Sequence, residues 1–290
     1  MKAEVVLHLK DTRLGEGPVW DHRSQLLYWV NISLGRVHRY DPVSREHQSR
    51  SFDQYLGAVV PCDSGEFVLA MQHGFYFYDW DKNQLSFIVD PEKDKPLNRF
   101  NDAKCDPQGR FWAGSIRIHE PRVPVASLFC LDNNLTFSEK LSGIHISNGL
   151  AWTKEGNRMY YIDTLWHHVQ SFDFEPSTAE IKNSKVVLRF KQDEFPDGMC
   201  IDENDNLWIA FYGLGKVRCY NPWTGKRLAE ISVPASKITS CCFGGRDMDT
   251  LYITSGREKN DKEEYAGALF GLKVGVKGRE TSFFSASSRA

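Results

Sequence analysis

Four polar residues stand at the head of segments that read almost alike: Glu16 in LGEGPVW, Asn101 in FNDAKCD, Asn148 in SNGLAW and Asp197 in PDGMCID. Taken singly, Asn-Gly and Asp-Gly are ordinary turn dipeptides. Glu16 is not explained that way, because glutamate is a poor turn former. Carboxylate and amide oxygens without histidine or cysteine make a donor set for one hard divalent cation, Ca²⁺ first, with Mn²⁺, Mg²⁺ and Zn²⁺ as alternatives. Two carboxylates converging without such a cation would repel. A cation with few protein ligands keeps open positions from which it polarises a carbonyl and acidifies water, which is the chemistry of ester or lactone hydrolysis.

Whether these residues converge depends on the elements that carry them. The stretch Phe195 to Pro234 reads as a four-stranded meander, with strands at Met199 to Asp202, Leu207 to Tyr212, Val217 to Tyr220 and Leu228 to Val233 and a Pro196-Asp197-Gly198 turn in front. Its second strand, LWIA, recurs as LYWV, FVLA, FWAG, MYYI and LYIT along the chain, and the second residues of the six copies are 40, 44, 48, 48 and 44 positions apart. Six units of that period predict an all-β fold, a six-bladed β-propeller of four-stranded antiparallel blades around a central channel, occupying residues 1–290 as a single domain. A strand at Glu4 to Leu9 is expected to complete the last blade. Eleven or twelve positions before each hallmark residue lie Glu16, Leu56 or Gly57, Asn101, Asn148, Asp197 and Ser240. Equivalent blades would therefore point the polar ones at the axis from different directions. Ile116 to Ala126 and Arg257 to Tyr265 break the repeat and are candidate loops over the channel mouth, the second reading as a solvated hairpin tip.

Composition narrows the classes. Hydrophobic residues at 41% and charged residues at 26% describe a globular protein with a sizeable core, and a formal net charge of −2 offers no field for nucleic acid or anionic membrane. No apolar run approaches a membrane span, and the apolar stretch near the N-terminus is short for a secretory leader, so a cytoplasmic location is expected. The seven cysteines lack CxxC spacing and read as buried hydrophobes rather than a disulfide framework or zinc knuckle. G-x-S-x-G, Walker, G-x-G-x-x-G and H-E-x-x-H motifs are absent. Asp202-Glu203-Asn204-Asp205-Asn206 imitates an EF-hand start but has Leu207 and Gly213 where glycine and glutamate are needed.

Together LGEGPVW, NRFNDAKCDPQGRFWAG, SNGLAW, FPDGMCID, TSCCFGG and GVKG resemble the regucalcin, gluconolactonase and luciferin-regenerating enzyme family of six-bladed propellers, in order and over nearly the whole chain. The resemblance implies a single divalent cation held by Glu16, Asn148 and Asp197, lactonase activity on sugar lactones, Asp197 as general base, and Arg99 and Asn101 as contacts to substrate hydroxyls. Where animal members carry an acidic pair in a lid, this chain has Arg117-Ile118-His119-Glu120, leaving Glu120 as the lid's candidate substrate contact. The partner expected is a small sugar lactone, with the chain a monomer or weak homo-oligomer. Two other functions fit the same residues: a calcium-binding regulatory propeller without significant turnover, and a hydrolase of other esters or phosphotriesters.

Overall fold

The computed structural model describes residues 1–287; residues 288–290, the end of the domain read over 1–290, lie outside it. Among the described residues, six four-stranded antiparallel sheets form the blades of a β-propeller. The inner strands are Gly15–Asp21, Leu56–Pro61, Asn98–Cys105, Ser147–Trp152, Phe195–Ile201 and Ile238–Gly244. The last blade is completed by Glu4–Leu7, which pairs with Leu269–Lys273 and so ties the two ends of the chain together.

The recurrent strand forms because its apolar and aromatic residues fit the pleat, and the turn before it is held by a repeated acid. Asp106 Oδ1 accepts from the backbone N–H groups of Gln108 and Arg110, while its Oδ2 accepts from Trp112 Nε1 at 2.9 Å. Asp202 does the same for Asn204, Asn206 and Trp208, at 3.1 Å to the indole. The false EF-hand is therefore a strand-to-strand turn. Apolar side chains pack in clusters between successive blades: Tyr28, Leu69 and Trp80 between the first two, Phe75, Phe100 and Phe111 between the next, and Trp112, Trp152 and Phe174 beyond them. Burying one such side chain contributes about 1.5–3 kcal/mol. All seven cysteines are buried and free, as expected.

Two sequence expectations are corrected. Pro196-Asp197-Gly198 is not a turn ahead of a strand; it lies within Phe195–Ile201. Glycine is needed there because a Cβ on Gly198 would sit 2.1 Å from Ser240 Oγ of the next blade, and one on Gly57 would sit 2.5 Å from the Phe100 carbonyl carbon. The 257–265 loop is not a free solvated tip: Lys237 binds Asp261 at 2.8 Å and Glu258 at 3.4 Å, and Ser236 N–H donates to Glu263 at 2.7 Å. Both extra loops do lie where the inner strands begin, since Arg117 pairs with Asn98 and Ser255 with Ile238.

The opposite end is crossed by a C-terminal strap that the repeats do not foreshadow. Gly278 bridges Asp202, Arg279 Nη2 donates to the Trp152 carbonyl at 2.6 Å, Phe283 stacks on His22, Phe284 bridges Cys62, and Ser285 N–H donates to the Gly109 carbonyl at 2.9 Å. One segment thus touches blades five, four, one, two and three.

Candidate functional site

Each inner strand carries one extra residue against its neighbour at the same level. The register slips between Glu16 and Val19, Leu56 and Ala58, Phe100 and Ala103, Asn148 and Leu150, Pro196 and Met199, and Ile238 and Ser240. A β-bulge interrupts side-chain alternation and re-aims the residues it contains. Consecutive residues can then both serve the channel, as Asn101 and Asp102 do. The shared phase in the sequence is the signature of this bulge.

A line of hydrogen bonds runs around the axis from these positions. Arg99 Nη1 donates to Asn101 Oδ1 at 2.8 Å, Asn101 Nδ2 to Asn148 Oδ1 at 2.9 Å, Asn148 Nδ2 to Thr164 Oγ1 at 2.8 Å, and Thr164 Oγ1 to the Pro196 carbonyl at 2.8 Å. The line links blades three, four and five and fixes which way each amide faces. Glu16 Oε2 accepts from its neighbour Gly17 N–H at 2.8 Å, whereas Asp197 Oδ1 is buried without a partner.

Relative exposures of 4% for Glu16, 3% for Asn148, 7% for Asp197, 8% for Arg99 and 6% for Asn101 place all five in the interior. Burial and the nearby Asp102 charge push Glu16 up to about 8. Asp197 is raised well above the carboxylate range, first by burial and then by Glu16 and Asp102. Asp102 is itself raised by burial, and its Oδ2 is also unpartnered. Arg99 is lowered to about 10 by burial and by Arg122. Burial and mutual repulsion hold these three carboxyls back from ionising, with Arg99 the positive charge that acts on Glu16 and Asp197.

The structure brings together Glu16, Arg99, Asn101, Asn148 and Asp197, and leaves out Glu120. Its side chain is 73% exposed and pairs with Arg122 in the lid at 3.0 Å. Sequence reasoning missed Thr164 and Asp102. Asp102 was signalled by its place beside Asn101 in a bulged segment; Thr164, after the second strand of blade four, carries no local signal. Asp102 also lines a cavity of about 220 Å³ together with Lys104, Ser240 and Arg279, and strap residues 279–282 form part of its wall.

The donor set fits one hard cation. Asp197 Oδ1 is free, Glu16 offers a carboxylate, and the Thr164 bond fixes the Asn148 amide. Among the described residues no three His, Cys, Asp or Glu side chains form a group that could hold a metal ion.

Fold and site define a six-bladed propeller with an acidic cluster at one end of its channel. Residues 14–257 match the model of the family described as SMP-30/Gluconolactonase/LRE-like region. The Bacillus subtilis (strain 168) protein named "Putative sugar lactone lactonase YvrE" is 39% identical over 91% of this chain and 93% of its own length, and regucalcin of Danio rerio is 38% identical over 96% of each. A solved structure of luciferin-regenerating enzyme superposes with a TM-score of 0.91 at 30% identity, covering 97% of this chain and 98% of that one. The chain belongs to the SMP-30/gluconolactonase/LRE-like family.

Proposed function

We propose that the protein is a metal-dependent hydrolase that opens a sugar lactone of the gluconolactone type. The observation that carries this reading is the unpartnered, buried Oδ1 of Asp197, on whose carboxyl Glu16 acts, with Arg99 donating to Asn101 beside it. Glu16, Asn148 and Asp197 would hold one divalent cation, Ca²⁺ by the hardness of the donors, and when bound it supplies polarisation of the ring carbonyl and a more acidic water. The Asp197 carboxylate would accept the proton of the attacking water through the oxygen that does not hold the cation, and return it to the ring oxygen as the acyl C–O bond breaks, leaving the open hydroxy acid. Arg99 orients the sugar hydroxyls through the N–H groups it does not spend on Phe100 and Asn101, and Asn101, whose amide N–H groups donate to the Ser147 carbonyl and Asn148 Oδ1, offers its Oδ1 as an acceptor. Kinship with a protein named as a lactonase supports the substrate class. Buried free thiols suit a reducing compartment, in keeping with a cytoplasmic setting, and no described helix is long and apolar enough to cross a membrane.

The test is acid release from glucono-1,5-lactone with added Ca²⁺, with chelator, and with Asp197→Asn. Activity that needs the cation and the carboxylate is expected. Undiminished turnover after chelation overturns the metal dependence. Tight Ca²⁺ binding with no turnover on any lactone assigns the chain to cation-binding regulation instead.

A further inference from the structure

In the connection from blade two to blade three, residues 90–97, Glu92 is the single buried residue. Its side chain is 1% exposed, although burying a carboxylate is costly unless it is paired or hydrogen-bonded. Oε2 accepts from Asn98 Nδ2 at 2.9 Å and Oε1 from Ser115 Oγ at 2.6 Å, with Lys95 Nζ 3.8 Å away. Ser115 Oγ in turn accepts from the Ser127 N–H at 3.0 Å, and Lys95 Nζ donates to Ser127 Oγ at 3.2 Å. Asn98, Ser115 and Ser127 lie on Asn98–Cys105, Phe111–Arg117 and Ala126–Leu131, so one carboxylate ties three strands of blade three where the lid leaves and returns. Two sides of the site border this tie. Asn98 precedes Arg99, whose register partner Ile116 follows Ser115. On the blade-four side, Ile116 bridges Ile146, and a Cβ on Gly114 would sit 1.7 Å from Ser147 Oγ. Ser147 precedes Asn148, and its carbonyl accepts from Asn101 Nδ2 at 2.9 Å.

We propose that Glu92 is a positioning residue, which through Asn98 and Ser115 holds Arg99 and the two stems of the lid as one unit for substrate binding. This rests on the lactonase reading. A carboxylate suits the place because both of its oxygens accept, and the groups it faces, an amide N–H and a hydroxyl, are donors. Glutamine keeps one acceptor for Ser115 and can meet a turned Asn98 amide with its own N–H, whereas alanine releases both strands. Substrate affinity thus depends on a side chain that bonds to the lid stems and reaches the substrate only through Arg99.

The test combines kcat and KM for glucono-1,5-lactone in Ca²⁺ buffer with limited trypsin digestion of the same proteins. Glu92→Ala should raise KM about ten- to thirtyfold with kcat per folded molecule within about threefold, and Glu92→Gln should recover most of the loss. In an Arg99→Ala background, Glu92→Ala should add less than about threefold, because the effect runs through Arg99. Trypsin should cut after Arg117 or Arg122 faster in Glu92→Ala, while cleavage within residues 257–265 keeps the parent's rate. An unchanged KM, effects of Glu92→Ala and Arg99→Ala that multiply, or faster cleavage in both loops, the mark of a general loss of stability, overturns the proposal. If Glu92→Ala does not fold, Ser115→Ala removes one of the two bonds and should raise KM about three- to tenfold; an unchanged KM there overturns the proposal equally. Should the parent turn over no lactone, the hydrolase reading fails separately, and digestion decides: acceleration confined to the lid supports Glu92 as its tie, and equal digestion of parent and variant overturns it.

Discussion

At the end of the channel where the inner strands begin, Glu16, Asp197 and Arg99 are buried with few ionic partners, and Asp197 Oδ1 has none. At the other end, Phe284 is fully buried, Phe283 stacks on His22 at 4.6 Å with Arg23 over its ring at 4.0 Å, and Phe284 N–H donates to the Pro61 carbonyl at 2.9 Å. One end leaves carboxyl oxygens of Asp102 and Asp197 unsatisfied, while the other buries aromatic surface under backbone hydrogen bonds and leaves neutral or cationic groups, among them His22 Nδ1, Trp152 Nε1 and Arg279 Nε, without partners. Such asymmetry is expected when a scaffold carries a reactive site, because groups preorganised for a ligand cost stability that the rest of the fold must offset. The bulges make the first end possible and the strap secures the second.

The comparison can be broken most sharply at Asp197. Asp197→Asn should lower kcat/KM about 10²- to 10⁴-fold in a lactone assay, as loss of a general base does. In chelator at pH 8 the same variant should unfold no earlier than the parent, because it removes a buried carboxyl that Glu16 and Asp102 repel. Unimpaired activity would remove Asp197 from the chemistry.

At the strap end the effects should reverse. Phe284→Ala should destabilise the fold by about 3–5 kcal/mol in denaturant titrations while activity per folded molecule stays near that of the parent. Equal loss of both would mean that the strap reaches the site.

The carboxyl cluster gives the cation-stripped protein a distinctive pH dependence. Glu16 titrates near 8 in the fold against 4.5 for an unperturbed glutamate, so between those limits the folded state holds more protons than the unfolded chain. Stability therefore falls as pH rises through that window, with Asp102 and Asp197 acting in the same direction. Thermal unfolding in chelator should show a midpoint that drops from pH 5 to 8, and Ca²⁺ should raise the midpoint more at pH 8 than at pH 5. A flat profile in chelator would count against buried, unpaired carboxyls.

The smallest effect is expected at Thr164, which holds the Asn148 amide from behind. Thr164→Val should weaken Ca²⁺ affinity about tenfold, read by calorimetry, while stability changes by only about 1 kcal/mol. An unchanged affinity would mean that Asn148 keeps its orientation without the hydroxyl.

The sequence by itself determined the blades. Their turns are local: Asp106 and Asp202 organise the next few residues and the following tryptophan, so each repeat announces itself within a short window. It also marked the level of the site, because the same bulge recurs in every inner strand and leaves Glu16, Asn101, Asn148 and Asp197 in phase. The local signal misled where Pro196-Asp197-Gly198 read as a turn, since the crowding that requires Gly198 comes from Ser240 in the next blade. Only the tertiary structure decided that Glu120 points to solvent and pairs with Arg122, that Thr164 steadies Asn148, and that Phe284 lands beside Pro61. Those contacts join residues distant in sequence or turn on the path of an irregular loop. Neither is governed by the short-range periodicity that makes a strand or a turn legible.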